Sequence, residues 1–172
     1  MAQKFLVRES GKTKQKEATA TSAGVADAGK VPALDSAGKL HMSMMPNGIG
    51  AETQVLPASE NLSAGAFVNI FSDSGVAKVR LADNSNGRPA DGYVIESVTA
   101  AADATVYPLD GTNSQLSGLT PGAEYWLGTA GGVTDTPLDE NDVANANKIS
   151  QYLGKAKSAT ELITTDDSYV VL

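Results

Sequence analysis

The chain has 172 residues, no cysteine, one histidine and a net charge of -7. The absence of cysteine excludes disulfide bonds, thiolate nucleophiles and cysteine-based metal centres. Three Phe, five Tyr and one Trp predict a small core, so one domain with an appendage fits the length best. No stretch approaches the roughly 18 apolar residues of a membrane span and no signal-peptide core is seen, so we expect a soluble, unexported protein without a membrane partner.

The charge is divided unevenly along the chain. Residues 1–50 hold seven Lys/Arg against four Asp/Glu, a balance of +3, whereas residues 51–172 hold six against sixteen, a balance of -10. A basic segment favours an acidic partner surface, although a solvated tail would have the same composition. The acidic remainder is poorly suited to phosphate contacts, so no nucleic-acid partner is expected.

The first 25 residues are polar and rich in Lys, Thr, Ser and Ala, with one short apolar patch at Phe5, Leu6 and Val7. They show no sustained helical or strand period. This composition predicts a lone strand or an unanchored tail.

Residues 26–50 repeat a Gly-Lys-aliphatic pattern that ends at Val31 in the first copy and at Leu40 in the second. Pro32 and Pro46 forbid one continuous helix, and the glycines favour turns and extended backbone. We therefore predict that residues 1–50 are an extended N-terminal arm that becomes ordered by lying on a partner. The predicted partner-binding anchors are Val31, Leu34, Leu40, Met42, Met44, Met45 and Ile49. The methionines suit an adaptable partner groove, and a plain spacer would also accommodate them.

From residue 51 the pattern changes to short apolar runs separated by turn residues. Residues 77–81 alternate apolar and basic side chains, which predicts a strand with one buried and one solvated face. We predict a mainly β fold in which residues 51–172 form a small antiparallel barrel or sandwich of about eight strands. The candidate strands are 66–71, 77–81, 92–98, 104–109, 123–128, 149–157, 160–164 and 168–172.

The local concentration of potential hard-metal ligands is the acidic stretch Asp135, Asp139, Glu140 and Asp142. Residues 136–138 (Thr-Pro-Leu) interrupt the ligand spacing of a calcium loop, so a surface loop or helix cap is favoured over a metal site. Residues 138–148 are predicted as a short helix capped by Asp139 or, equally, as a long hairpin loop. No metal and no cofactor are expected.

The sequence offers little for catalysis. His41 lies in the predicted arm, far in sequence from any acidic cluster, so neither a nucleophile nor an orienting carboxylate is expected beside it. Residues 128–132 lack the Lys-Ser/Thr that completes a phosphate-binding loop and predict a hairpin turn. A glycosidase pair such as Asp110 and Glu124 is supported only by the abundance of acids. We expect no catalytic residues and no enzyme activity.

Tyr125 and Trp126 are adjacent in a predicted strand, so their side chains should face opposite sides of the sheet. One is then expected in the core and the other at a subunit interface, although an exposed ring would also suit a sugar-binding platform. The small number of core aromatics further predicts a dimer or trimer.

Two parts of the sequence resemble structural proteins of tailed bacteriophages. Residues 26–50 are similar to the Gly-Lys-Val-Pro-Ala-Leu-Asp, Gly-Lys-Leu and Met-Met-Pro stretch of such proteins, and residues 64–137 with 149–162 resemble the small β domain of capsid decoration (cement) proteins. The resemblance implies a virion structural protein, assembled in the host cytoplasm, that binds the outer surface of the major capsid protein lattice. It would stabilise the shell by bridging subunits through its arm. Similar arms and β domains in tail fibre, baseplate and receptor-binding modules leave that alternative open.

Overall fold

The computed structural model describes residues 3–36, 38–45 and 52–172. The chain divides into two compact units, unit 1 (residues 1–50) and unit 2 (residues 51–172). The described residues form several small antiparallel sheets and short 3-10 turns, so the predicted mainly β fold is confirmed. No closed barrel is present among them, and the sheets of unit 2 are sandwich-like.

Unit 1 begins with an antiparallel hairpin of β1 (Lys4–Glu9) and β2 (Lys12–Glu17). The two turn residues, Ser10 and Gly11, have φ of 51° and 76°. Positive φ at both central positions is the geometry of the turn whose twist matches paired strands. The predicted lone strand or unanchored tail is therefore wrong, because a Ser-Gly turn lets β1 pair with a lysine-rich strand that has no apolar alternation of its own.

Beyond the hairpin, the described residues of unit 1 form turns, and residues 31–33 fold back to the end of β2. The amide of Thr19 donates to the carbonyl of Val31 at 3.0 Å, and the amide of Ala33 donates to that of Thr19 at 2.7 Å. Two 3-10 turns follow the hairpin, at Gly24–Asp27 and at Met42–Met44. Residues 3–36 are thus folded back rather than extended from end to end.

Unit 2 contains the remaining strands in four sheets. The pairs are β3 (Gln54–Pro57) with β7 (Asp103–Val106), and β11 (Ile149–Ser150) with β14 (Val170–Val171). A three-stranded sheet has the order β5 (Val76–Leu81), β4 (Phe67–Asp73), β6 (Gly92–Tyr93). A five-stranded sheet has the order β10 (Val133–Thr134), β9 (Glu124–Leu127), β12 (Tyr152–Ala156), β13 (Leu162–Thr164), β8 (Thr112–Asn113).

The core of unit 2 lies on both sides of β4. Phe67 and Val68 are adjacent on this strand and fully buried, and because alternate side chains face opposite ways they enter different apolar clusters. Phe67 packs in a cluster with Leu127 and Leu153 of the five-stranded sheet. Val68 packs in a cluster with Val106 of the β3–β7 pair. One strand therefore joins two small cores.

Hydrogen bonds from buried polar side chains connect the loops of unit 2. Gln151 donates to the carbonyl of Ala90 at 2.9 Å and accepts from its amide at 2.7 Å. Asn113 donates to the carbonyl of Gly65 at 2.8 Å. Within the described part of the chain, no buried side-chain nitrogen or oxygen lacks a hydrogen-bond partner, as expected of a module that is stable by itself.

The predicted strands 66–71 and 77–81 correspond to β4 and β5. Gln151 interrupts the predicted strand 149–157, which is divided into β11 and β12. The strands β3, β8 and β10 were not predicted. Residues 138–148 form a loop with one 3-10 turn, Val143–Asn145, and the carboxylate of Asp142 rather than Asp139 caps it by accepting from the amide of Ala144 at 2.9 Å.

Candidate interaction surfaces

Unit 1 has almost no core. Of the 21 buried hydrophobic residues among those described, one, Ala33, lies in unit 1 and the other twenty lie in unit 2. A hairpin without three or more strands or a packed face is at best marginally stable in water. Unit 1 therefore buries little of its own apolar surface.

Several apolar side chains of unit 1 are exposed. Their exposed fractions are Leu6 70%, Val25 93%, Val31 44%, Leu34 52% and Leu40 41%. This set includes three of the predicted anchors, and Met44 and Met45 are half-buried. The side chain of Met42, and Ile49 entirely, lie outside the described residues. Exposure makes these side chains available, and their role as partner contacts stays a prediction.

The hairpin adds Leu6 and Val7, which the predicted anchor set does not contain. Val7 lies with Phe5 on one face of β1, and Leu6 lies on the other. The sequence signal for these two residues is a run of three apolar residues followed by a Ser-Gly dipeptide. This dipeptide permits a hairpin turn, and both faces of the resulting two-stranded sheet can contact a partner.

Positive charge is concentrated on the same hairpin. Residues 4–17 hold five Lys/Arg against two Glu, and every residue of β2 is exposed. Hydrogen bonds from Lys16 and Lys14 lower the pKa of the Glu9 carboxyl below its ordinary value. Ion pairs this exposed stabilise a fold only weakly. The excess of Lys/Arg over Glu makes the surface of the hairpin basic.

A groove of about 500 Å³ lies between the hairpin and the 28–31 segment of unit 1. Phe5, Val7 and Val31 line it together with two basic residues and one acidic residue, Lys16, Lys30 and Glu17. An apolar groove bordered by cations suits a protein surface that presents an apolar side chain beside an acidic one.

The second surface is the outer face of the five-stranded sheet in unit 2. Tyr125 is buried, and its hydroxyl accepts from the amide of Thr120 at 2.9 Å, while Trp126 is half-buried on the opposite face. The predicted division of these two rings between the faces is confirmed. The Trp126 ring meets the Tyr152 ring edge-on, with centroids 5.6 Å apart.

A register shift in β12 produces that aromatic pair. Tyr152 lies opposite Trp126, yet Gly154 lies opposite the next residue of β9, Tyr125. Leu153 is thus the extra residue of a β-bulge and is fully buried. Gly154 has φ of +144°, and a Cβ there would overlap the carbonyl of the neighbouring strand.

The aromatic pair has charged and apolar neighbours on the same face. The Lys155 ammonium lies 3.8 Å from the Glu124 carboxylate, and Ile163 beside Lys155 is 50% exposed. Partial burial, followed by the nearby carboxylates of Glu124 and Asp167, raises the pKa of Tyr152. The face is amphipathic, and its use as an interface stays a prediction.

The residues weighed for catalysis and metal binding make local contacts. His41 Nδ1 accepts from the amide of Ser43 at 3.1 Å and lies 2.9 Å from its hydroxyl, within one turn. Asp139 accepts from the amide of Asn141 at 2.9 Å. Over residues 3–36, 38–45 and 52–172, no group of three or more acidic or histidine side chains is arranged to hold a metal ion. None of the helices described there is long and apolar enough to cross a bilayer.

No protein-family model matches the chain, and no curated protein sequence matches it. Among solved structures the chain is similar to the crystal structure of the head fiber gp8.5 N base in bacteriophage phi29. The identity is 13%, the match covers 66% of this chain and 92% of that one, and the TM-score is 0.42. A likeness this distant says nothing about what this chain binds.

Proposed function

We propose that this chain is a non-enzymatic structural protein of a tailed-phage virion that decorates the outer surface of the capsid. Unit 1 binds the major capsid protein lattice and bridges neighbouring subunits, and unit 2 remains in contact with solvent. The observation that carries the proposal is the unequal division of buried apolar residues, one in unit 1 against twenty in unit 2.

The division matters because burial of apolar surface drives folding. Unit 2 has two apolar clusters and satisfied buried polar groups, so it has the means to fold by itself. Unit 1 exposes Leu6, Val25 and Leu34 by half or more. A segment of this kind is ordered by what it binds, which is the behaviour expected of an attachment segment.

The charges support the same assignment of roles. Unit 1 has a balance of +3 and unit 2 one of -10. An acidic outer module keeps coated particles apart through like-charge repulsion, and many weak attachments on a repeating lattice act together through avidity. The resemblance of residues 64–137 and 149–162 to decoration proteins, and of residues 26–50 to structural proteins of tailed phages, points in the same direction.

A receptor-binding role in a tail fibre or baseplate is the second candidate. The Trp126–Tyr152 pair favours it, because a half-buried aromatic pair bordered by Glu124 and Lys155 would suit a host glycan or protein. In that case unit 1 would attach to the tail.

Binding to assembled shells tests the proposal. Shells prepared without this protein are mixed with the full chain or with residues 52–172, and the pelleted fraction is measured after sedimentation. We expect the full chain to saturate the shells and the shorter chain to remain folded in solution without pelleting. Equal binding of the two would contradict the role given to unit 1.

A further inference from the structure

We propose that the free edge of β1 binds an extended strand of a partner protein that places acidic residues opposite Lys4 and Arg8 and an apolar residue opposite Leu6. The inference rests on the attachment role proposed for unit 1 and defines the chemistry of the surface that unit 1 binds.

The hydrogen-bonding pattern of the hairpin shows which backbone groups of β1 point toward β2 and which point away from it. β1 pairs with β2 on one side, and no other strand in the described ranges pairs with it. The amide of Ala18 donates to the carbonyl of Gln3 at 2.9 Å, so these two residues form a hydrogen-bonded pair. Such pairs recur at every second residue of an antiparallel ladder. Phe5, Val7 and Glu9 therefore direct their backbone groups toward β2.

The intervening residues face the other way. Lys4, Leu6 and Arg8 direct their N–H and C=O groups away from β2, where the described residues supply no partner strand. A row of unpaired backbone groups at this spacing is the template to which an extended peptide adds as a further strand.

The side chains of the edge select the partner strand. Leu6 is 70% exposed and lies between Lys4 and Arg8 on one face of β1. In the described ranges Arg8 has no carboxylate partner, and the Lys4 ammonium lies 3.6 Å from the exposed Glu17 carboxylate. Directly opposite side chains on paired strands interact, and opposite charges are favoured there. An acidic, apolar, acidic alternation is therefore the complement of this edge.

Two other occupants fit less well. A second copy of the same edge would place Lys4 and Arg8 against cations, which like-charge repulsion disfavours. A nucleic acid would match the cations but would offer its phosphates to Leu6, and Glu9 and Glu17 lower the local positive charge.

The test uses the full chain and two short blocked peptides. The probe is acetyl-Glu-Val-Leu-Val-Glu-amide, and the control peptide has Lys in place of both Glu. Amide hydrogen exchange is followed by two-dimensional NMR at residues 4–9. At a probe concentration ten times its Kd, exchange at Leu6 and Arg8 should slow about tenfold. The Lys peptide should bind roughly tenfold more weakly or worse.

Charge-reversal variants make the test specific for the edge. Arg8→Glu should reduce the preference for the Glu peptide or reverse it toward the Lys peptide. Lys39→Glu makes the same charge change at an exposed position of unit 1 outside the hairpin, so it should leave the preference unchanged. Both side chains are exposed, so loss of fold is not expected to obscure the comparison.

Three results would overturn the inference. They are slower exchange at Phe5 and Val7 without slowing at Leu6 and Arg8, equal binding of the two peptides, and stronger protection by a single-stranded DNA oligonucleotide than by the Glu peptide. Each leaves the attachment role intact if the full chain still binds shells and residues 52–172 do not. Conversely, peptide binding as expected together with shell binding that does not require unit 1 would support the strand site and refute the proposed function.

Discussion

Truncation of Leu6 is the substitution that best separates attachment from folding. Leu6 is 70% exposed on β1, and Val55 is 64% exposed on β3 of unit 2. Burial of a whole Leu side chain is worth about 1.5–3 kcal/mol, so a partner that covers the exposed part of Leu6 gains roughly 1–2 kcal/mol. Most of that gain is lost in Leu6→Ala, which raises Kd roughly 5- to 30-fold. Val55→Ala removes similarly exposed apolar surface from unit 2, to which the proposal assigns no shell contact.

The assay is a sedimentation titration of each variant against shells that lack the protein, with thermal unfolding measured in parallel. Both variants should unfold within about 0.5 kcal/mol of the unchanged chain, because exposed substitutions alter stability little. Weaker binding of Leu6→Ala alone is the expected result. Unchanged binding of Leu6→Ala, or equal weakening by Val55→Ala, would refute the reasoning.

Further substitutions test the fold and the electrostatics. Gly154→Ala should destabilise unit 2 by more than about 2 kcal/mol in denaturant unfolding, because its Cβ would strike backbone, whereas Gly118→Ala, with open space around it, should cost only about 1 kcal/mol. Leu153→Ala should lower the unfolding free energy by about 2–5 kcal/mol, and the half-exposed Ile163→Ala by much less. Because the pKa of Glu9 is lowered in the folded chain, its stabilisation is present above its ordinary value of 4.5 and is lost as the pH falls through the lower folded value. The amide spectrum of residues 4–17 should therefore change on acidification below about pH 4.5, and Glu9→Gln should remove that part of the change.

The sequence was sufficient to predict the fold class and the strands with clear alternation of apolar and polar residues. β4 and β5 were predictable because a strand of apolar residues, a turn with Gly and a strand of alternating residues follow one another. The β1–β2 hairpin was not, because Lys12 to Glu17 contain no apolar residue and their strand structure depends on pairing alone. β8 and β10 are two residues long, which is too short for any period to show.

The candidate surfaces were predictable in part. The opposite orientation of Tyr125 and Trp126 follows from strand alternation, and the composition of residues 1–50 indicated a segment without its own core. The contact of Trp126 with Tyr152 was not predictable, because it depends on the bulge at Leu153 and on pairing across 26 positions of sequence. The free edge of β1 was likewise not predictable, because it is recognised from the hydrogen-bonding pattern of the hairpin.

The number of copies per virion tests the central claim most directly. Quantitative mass spectrometry of purified virions, with the major capsid protein as internal standard, gives this number without any variant. A decoration protein occupies repeated sites of the lattice, so we predict on the order of hundreds of copies. A value of roughly a few to a few dozen copies, typical of a tail structure with low rotational symmetry, would contradict the capsid role and favour the receptor-binding alternative.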